Sequence, residues 1–292
     1  MFFMKDYCEI CPRHCLKTPE RTGFCGTDKI LVAHYGIHRY EEPIISGSKG
    51  SGTIFFGGCN LRCCFCQNSD ISHVAAGEEY SPERLAELMV KLAKTGVHNI
   101  NLVTAAHIRP LVATALTMAK PLLTIPVVYN SSGYEGDISD LDGLIDVYLP
   151  DFKYINSATA ALLSKAPDYP EVAKRIIRQM VESQSETIIE DGLIKKGVII
   201  RHLVLPTKKE ESIAILTYIK ENFPSTKVSI MSQYTPSFNK GPSFLNRKIT
   251  SLEYNAVINK AIELEIDGYM QDRASASAFY TPDFGQTPID LI

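Results

Sequence analysis

The sequence predicts an α/β fold: a partial, TIM-like (β/α)6 barrel behind a cysteine-rich N-terminal extension. Three observations carry this expectation. From Thr53 to the end, short apolar runs alternate with amphipathic segments of helical length, the pattern of repeated β-α units. The runs are nearly continuously apolar rather than alternating, as in parallel strands buried on both faces. All eight cysteines lie between Cys8 and Cys66, ahead of or inside the first β-α unit.

The 292 residues suit two domains or one barrel. A hydrophobic content of 45% against 22% charged residues supplies a sizeable core. Thirty basic and thirty-three acidic side chains leave a net charge of −3, without any long run of one sign. Nothing there recommends a nucleic acid or an anionic membrane as partner. The apolar start at Met1 is broken by Lys5 and Asp6, too early for a secretory leader, and no apolar run is long enough to span a bilayer. The expectation is a soluble, cytoplasmic protein. In a reducing compartment, clustered cysteines point to metal rather than to a disulfide framework.

Residues 1–50 form the extension and lead-in, and 51–292 the barrel domain. The extension holds Cys8-x2-Cys11-x3-Cys15-x9-Cys25 beside Pro12 and Gly26, four thiols that are enough for a closed site. Ile30–His34 reads as a short strand, followed by a turn-rich lead with Glu41-Glu42-Pro43, Gly47 and Gly50.

The barrel strands are expected at Thr53–Phe56, Asn99–Thr104, Pro126–Tyr129, Asp146–Leu149, Val198–Val204, Val228–Ser232 and Gly268–Gln271. The clearest helix opens with Ser81 as N-cap and Pro82 in the first helical position. Leu85, Leu88, Met89, Leu92 and Ala93 make its apolar stripe, and Gly96 closes it. Pro110–Lys120, Pro170–Ser183, Lys209–Phe223 and Ser251–Glu265 repeat the theme, whereas 235–249 reads as a long loop.

After the first barrel strand comes Gly57-Gly58-Cys59-Asn60-Leu61-Arg62-Cys63-Cys64-Phe65-Cys66-Gln67-Asn68. The C-x3-C-x2-C spacing gathers three thiolates around one centre. Structural zinc wants four ligands, and iron–sulfur clusters are usually held by four cysteines. Three leave one metal vertex open, as a catalytic metal requires. Cys64, adjacent to Cys63, is expected to point away as a buried thiol; the rival makes it the fourth ligand of a zinc knuckle.

C-x3-C-x-aromatic-C after a barrel strand resembles the signature of radical S-adenosylmethionine (SAM) enzymes, matched by Cys59, Cys63, Phe65 and Cys66. The resemblance implies a barrel of the radical SAM type and a four-iron four-sulfur cluster on the three cysteines. It further implies SAM chelated at the fourth iron, with Phe65 near the adenine. Reduction would cleave SAM to methionine and a 5′-deoxyadenosyl radical that abstracts hydrogen from a substrate.

Further segments resemble the pyruvate formate-lyase activating enzyme branch and its uncharacterised iron–sulfur relatives. They are Glu41-Glu42-Pro43-Ile44-Ile45-Ser46-Gly47, Cys66-Gln67-Asn68 and Met231-Ser232-Gln233-Tyr234-Thr235-Pro236. Asp151-Phe152-Lys153 is similar to the D-x-K of those enzymes, and Arg201-His202-Leu203-Val204-Leu205-Pro206 to their R-H-x-V-x-P. By that likeness Asp151, Lys153 and His202 surround the methionyl part of SAM, a zwitterion that needs a cation and acceptors around it. The rival reading leaves Asp151 and Lys153 as a surface ion pair and His202 as a core histidine. Thr104-Ala105-Ala106-His107 replaces the family's Gly-Gly-Glu, so Thr104 and His107 are the hydrogen-bond partners available there. Asn130-Ser131-Ser132-Gly133 stands where Thr-Asn-Gly is usual, with Asn130 against the ribose or in a plain turn. Gln271, Asp272 and Arg273 end the last strand, and are read first as a plain loop and second as reaching the carboxyl rim where parallel barrels build their sites.

For Cys8, Cys11, Cys15 and Cys25 the readings are a second iron–sulfur cluster, a structural zinc, or inert thiols. The expected function is a radical SAM oxidoreductase of the activating-enzyme kind. Its substrate would be a protein or peptide such as a glycyl-radical enzyme, and flavodoxin or ferredoxin its electron donor. The alternatives are a small-molecule substrate, or a non-enzymatic iron–sulfur or zinc protein.

Overall fold

A computed structural model describes residues 7–16, 22–184 and 186–271 of the chain. Strand β1 (Ile30–His38) lies antiparallel to β2 (Ser51–Phe56) and to β3 (Glu78–Tyr80). From β2 the sheet runs on in parallel through β4 (Ile100–Val103), β5 (Val127–Ser131) and β6 (Val147–Pro150). The short β7 (Ile188–Glu190) folds back on β8 (Leu193–Leu203), which pairs β6 and then β9 (Lys227–Met231), with β10 (Gly268–Met270) last. The parallel strands follow chain order without a switch point, and β2 and β10 do not pair. With right-handed crossovers, that order puts every connecting helix on one face and curls the sheet into an open barrel.

The side chains bear this out with a period of two. Ile54, Leu102, Tyr129, Tyr148, Ile200 and Ile230 face outward into one large apolar cluster. They meet helices α3 (Pro82–Ala93), α4 (Arg109–Ala119), α6 (Tyr169–Ser183), α7 (Lys209–Asn222) and α8 (Ser251–Glu263) there. Val128, Val147, Leu149 and Ile199 face inward and pack on Ile44 and Ile45. Those two belong to α1 (Pro43–Ser46), a single turn that plugs the barrel from the lead-in. Ser81 caps α3 through the Arg84 amide, a contact worth about 1 kcal/mol. Leu85, Met89 and Leu92 beneath it are fully buried.

Some features depart from expectation: β1 runs on to His38, beyond Ile30–His34, and β3 lies where no strand was expected. β8 begins at Leu193 rather than Val198, because Asp191 and Gly192, both at positive φ, turn β7 into a hairpin with it. Helix α5 (Ser157–Ser164), capped by Asn156, fills a stretch without an amphipathic stripe. The loop at 235–249 is present, with two short 3-10 turns in it. No helix among the described residues is long and apolar enough to cross a membrane.

Candidate metal and cofactor site

β2 delivers the chain to Gly57 and Gly58, and both positions are too tight for a side chain. A Cβ on Gly57 would sit 1.9 Å from the Ala76 carbonyl oxygen. At Gly58, with φ +83°, it would sit 2.8 Å from the Cys25 carbonyl oxygen. The loop beyond, including the turn α2 (Ser69–Ser72), brings Cys59, Cys63 and Cys66 to one cavity of about 230 Å³, together with Phe65. The Phe65 ring stands edge-on to Tyr234 at 6.0 Å. Cys64 turns the other way, its Sγ lying 2.5 Å from where a Cβ on Gly241 would be. Its backbone is held by Leu163 and Lys240.

Each of the three thiols has a polar neighbour. The Leu61 amide donates to Cys59 Sγ at 3.4 Å and Ser164 Oγ to Cys63 Sγ at 3.0 Å, while Cys66 Sγ lies 3.4 Å from Ser72 Oγ. Burial, with the neighbouring thiols adding to it, pushes Cys59 up to about 12. Burial also lifts Cys63 to about 11 against the pull of the Lys153 ammonium. Cys59 and Cys63 so placed favour the protonated thiol until a soft metal takes the sulfur, and a donor set made of cysteine sulfur suits iron–sulfur chemistry. No three His, Cys, Asp or Glu side chains among the described residues are placed to hold a single metal ion.

The same cavity carries a charged wall. Asp151 and Lys153 follow β6, Arg201 comes from β8, Asn130 from β5 and Glu41 from the lead-in, and all line the same cavity. Arg201 Nε donates to Asp151 Oδ1 at 3.0 Å, Nη1 to Glu41 Oε2 at 3.2 Å and Nη2 to Asn130 Oδ1 at 2.6 Å. Lys153 Nζ donates to Asp151 Oδ2 at 2.5 Å. Burial works against the ionised Asp151, but Arg201 and Lys153 outweigh it and hold the carboxyl below its ordinary range. For Glu41 burial prevails over Arg201 and Asn101, and its carboxyl is raised. This wall can receive a carboxylate on its cations and an ammonium on its carboxylates.

Strand parity separates Arg201 from its neighbour. Arg201 faces the cavity; His202 faces the helices, with Nδ1 2.7 Å from the Phe152 carbonyl oxygen and Nε2 2.8 Å from Ser212 Oγ on α7. Alternation along β8 thus sets His202 apart from the cavity-lining residues, on the helix side of the strand. Asn130, Asp151, Lys153 and Phe65 do line it. Thr104, at φ +65°, reaches the cavity as well. His107 is buried behind it, its Nε2 2.9 Å from the Gly57 carbonyl oxygen. Gln271 accepts from the Ser232 amide and donates to Gln233, the residue that reaches the rim. Asp272 and Arg273 lie outside the described residues. Glu41 and Arg201 carry no motif signal of their own for the site; the sequence signal for Arg201 is its inward parity on β8.

The N-terminal thiols share one knuckle. Tyr7 and Leu16 form a bridge, the Cys8 amide donates to the Cys15 carbonyl at 2.8 Å, and Cys11 and His14 close the turn between. The Phe24 amide donates to Cys15 Sγ at 3.2 Å, and Cys25 Sγ points to the Thr27 carbonyl at 3.0 Å. His14 is exposed. Arg13 pins the knuckle to the barrel mouth through the Asn60 and Lys165 carbonyls, its guanidinium over the Phe24 ring at 3.9 Å.

The family model described as "Radical SAM superfamily" matches residues 53–216. An uncharacterized protein of Methanocaldococcus jannaschii is 33% identical over 270 residues, covering 88% of this chain and 73% of the relative. A second uncharacterized protein of that organism is 27% identical over 117 residues, 32% of this chain and 33% of its own. The crystal structure of Streptococcus suis SuiB is similar in fold, with a TM-score of 0.51 at 13% identity over 74% of this chain. The chain spans 47% of the length of SuiB.

Proposed function

The chain belongs to the radical SAM superfamily, and from that premise we propose that it activates a protein or peptide, a glycyl-radical enzyme foremost, by abstracting hydrogen. The family carries a four-iron four-sulfur cluster and SAM-cleaving radical chemistry. Cys59, Cys63 and Cys66 would hold that cluster, and when bound it would supply the reducing electron for SAM cleavage. The carrying observation is that those three thiols share one cavity with the ionic wall of Asp151, Lys153 and Arg201.

In this reading Lys153 and Arg201 receive the methionyl carboxylate, while Asp151 and Glu41 accept from the amino group. Asn130 faces the ribose and Phe65 the adenine. The charges are already ordered before the ligand arrives, so little reorganisation opposes binding. The protein-substrate part rests on the likeness to activating enzymes at Asp151-Phe152-Lys153 and in the lead-in. A low-potential protein such as flavodoxin or ferredoxin is the proposed donor.

Anaerobic reconstitution with iron, sulfide, reductant and SAM is expected to yield 5′-deoxyadenosine. Cys66→Ala abolishes the product and Cys64→Ala does not. A loaded cluster that makes none sinks the reading. Added glycyl-radical proteins should then show a radical by electron paramagnetic resonance; consumption of small molecules alone would remove the protein substrate.

A further inference from the structure

The knuckle and the cluster loop are joined backbone to backbone. The Cys59 amide donates to the Cys25 carbonyl oxygen at 3.3 Å. One continuous path therefore leads from Cys25 Sγ through its Cβ, Cα and carbonyl, across that hydrogen bond, to the backbone and Sγ of Cys59. Asn60, fully buried, adds a second link: its side chain hydrogen-bonds Cys11 and its Oδ1 lies 4.0 Å from Cys59 Sγ. Gly58 sits against the same Cys25 carbonyl, so the close approach is built into the loop.

The metal can be argued from a comparison inside the molecule. A mononuclear zinc site draws its thiolates into one tight tetrahedron. The N-terminal set and the set at Cys59, Cys63 and Cys66 both offer free cysteine sulfur. For the second set the family cofactor is polynuclear, its own iron and sulfide core filling the space between ligands. The N-terminal set has the same all-cysteine donors and a full complement of four. Its outer side is reachable: Tyr7 is 50% exposed and Leu16 38% exposed at the open edge of the knuckle.

We infer that Cys8, Cys11, Cys15 and Cys25 hold a second iron–sulfur cluster, which takes one electron from a low-potential protein donor and passes it to the cluster at Cys59. The relay half of this rests on the SAM-cleaving reading above. The donor is oxidised by one electron, the N-terminal cluster is reduced and reoxidised, and the catalytic cluster ends reduced by one electron. No proton or bond is exchanged.

Two measurements test it on the full chain. First, a Cys59→Ser/Cys63→Ser/Cys66→Ser variant is reconstituted anaerobically with iron and sulfide in the presence of zinc. It is expected to retain iron and sulfide and to give a cluster signal on reduction; zinc, or no metal, overturns the assignment. Should that variant fail to fold, the Mössbauer spectrum of the wild-type protein decides. A second cluster left unperturbed by SAM is expected, and a single SAM-perturbed cluster overturns it.

Second, 5′-deoxyadenosine formation by a Cys8→Ser/Cys11→Ser variant is driven either by reduced flavodoxin or by titanium(III) citrate. The variant is expected to lose the flavodoxin-driven reaction while keeping the citrate-driven one. Equal rates with both donors, or no reaction with either despite a loaded Cys59 cluster, overturn the relay. A wild-type chain loaded at both sets that makes no 5′-deoxyadenosine sinks SAM cleavage instead, and leaves the second cluster to the first measurement.

Discussion

Arg201 Nε lies 3.0 Å from Asp151 Oδ1, joining the carboxyl ends of β8 and β6 where the two residues also form a parallel bridge. The contact fixes Asp151 by one oxygen and leaves the other to Lys153. The same guanidinium holds Glu41, so a residue of the lead-in is tied to the barrel wall. Side chains of Arg201, Asp151 and Glu41 are only 13%, 15% and 11% exposed, so little solvent screening weakens these pairs.

Removing the cation should therefore cost more than a surface ion pair would. Arg201→Ala leaves Asp151 with Lys153 alone and takes from Glu41 its guanidinium partner, and breaking such a buried pair typically costs about 3–5 kcal/mol. Arg201→Lys keeps the charge but cannot reach Asp151, Glu41 and Asn130 at once, so it should recover only part of the loss. Urea unfolding of the metal-loaded protein, with SAM affinity by calorimetry, checks this. An Arg201→Ala chain as stable as wild type contradicts it.

Gly58 supplies a second expectation. An alanine there meets the Cys25 carbonyl oxygen at 2.8 Å and His107 Nε2 at 2.9 Å, at a φ of +83° that side chains avoid. Backbone strain of this kind costs about 1–3 kcal/mol. Gly58→Ala should also pry the cluster loop from the knuckle, lowering iron retained per chain after gel filtration. Gly96→Ala is the control: its φ is +84° but nothing stands within 4 Å, so its strain is comparable and its iron content should be unchanged.

The barrel and the cluster loop were legible because their signals are local. Continuous apolar runs mark two-faced burial, and C-x3-C-x2-C needs only a short loop. The β7–β8 hairpin was missed although Asp191-Gly192 is a turn signal, because the run from Val198 looked complete by itself. The motif around His202 does not carry strand parity, so the side of β8 its ring takes is read only from the structure. The ties between Glu41 and Arg201, or between Cys25 and Cys59, join residues far apart in the chain. No short-range pattern encodes such contacts; only the register of the sheet brings them together.

Ser164 predicts a shift in potential. It donates to Cys63 Sγ at 3.0 Å and lies 2.7 Å from the Tyr154 hydroxyl, which orients it. A hydrogen bond to a ligating sulfur favours the more negative, reduced cluster. Ser164→Ala should make the cluster harder to reduce, seen as a more negative midpoint in a potentiometric resonance titration. An unchanged or more positive midpoint refutes the role.

His202 predicts a pH dependence. Burial against α7 lowers its pKa from the ordinary 6.5 to about 4, outweighing the Phe152 carbonyl that favours the charged ring. The unfolded chain thus takes up a proton near pH 6.5 that the folded chain refuses until about pH 4. The resulting stabilisation is fully present above pH 6.5, shrinks as pH falls through the window, and is gone near pH 4. It amounts to about 3 kcal/mol between the two limits. His107, also lowered by burial to about 4, adds to the same window. His202→Gln removes one of the two titrations, so its unfolding free energy should fall less than that of wild type between neutral and mildly acidic pH. Parallel loss in both chains, measured by urea unfolding across that range, would show that the ring is not held neutral between Phe152 and Ser212.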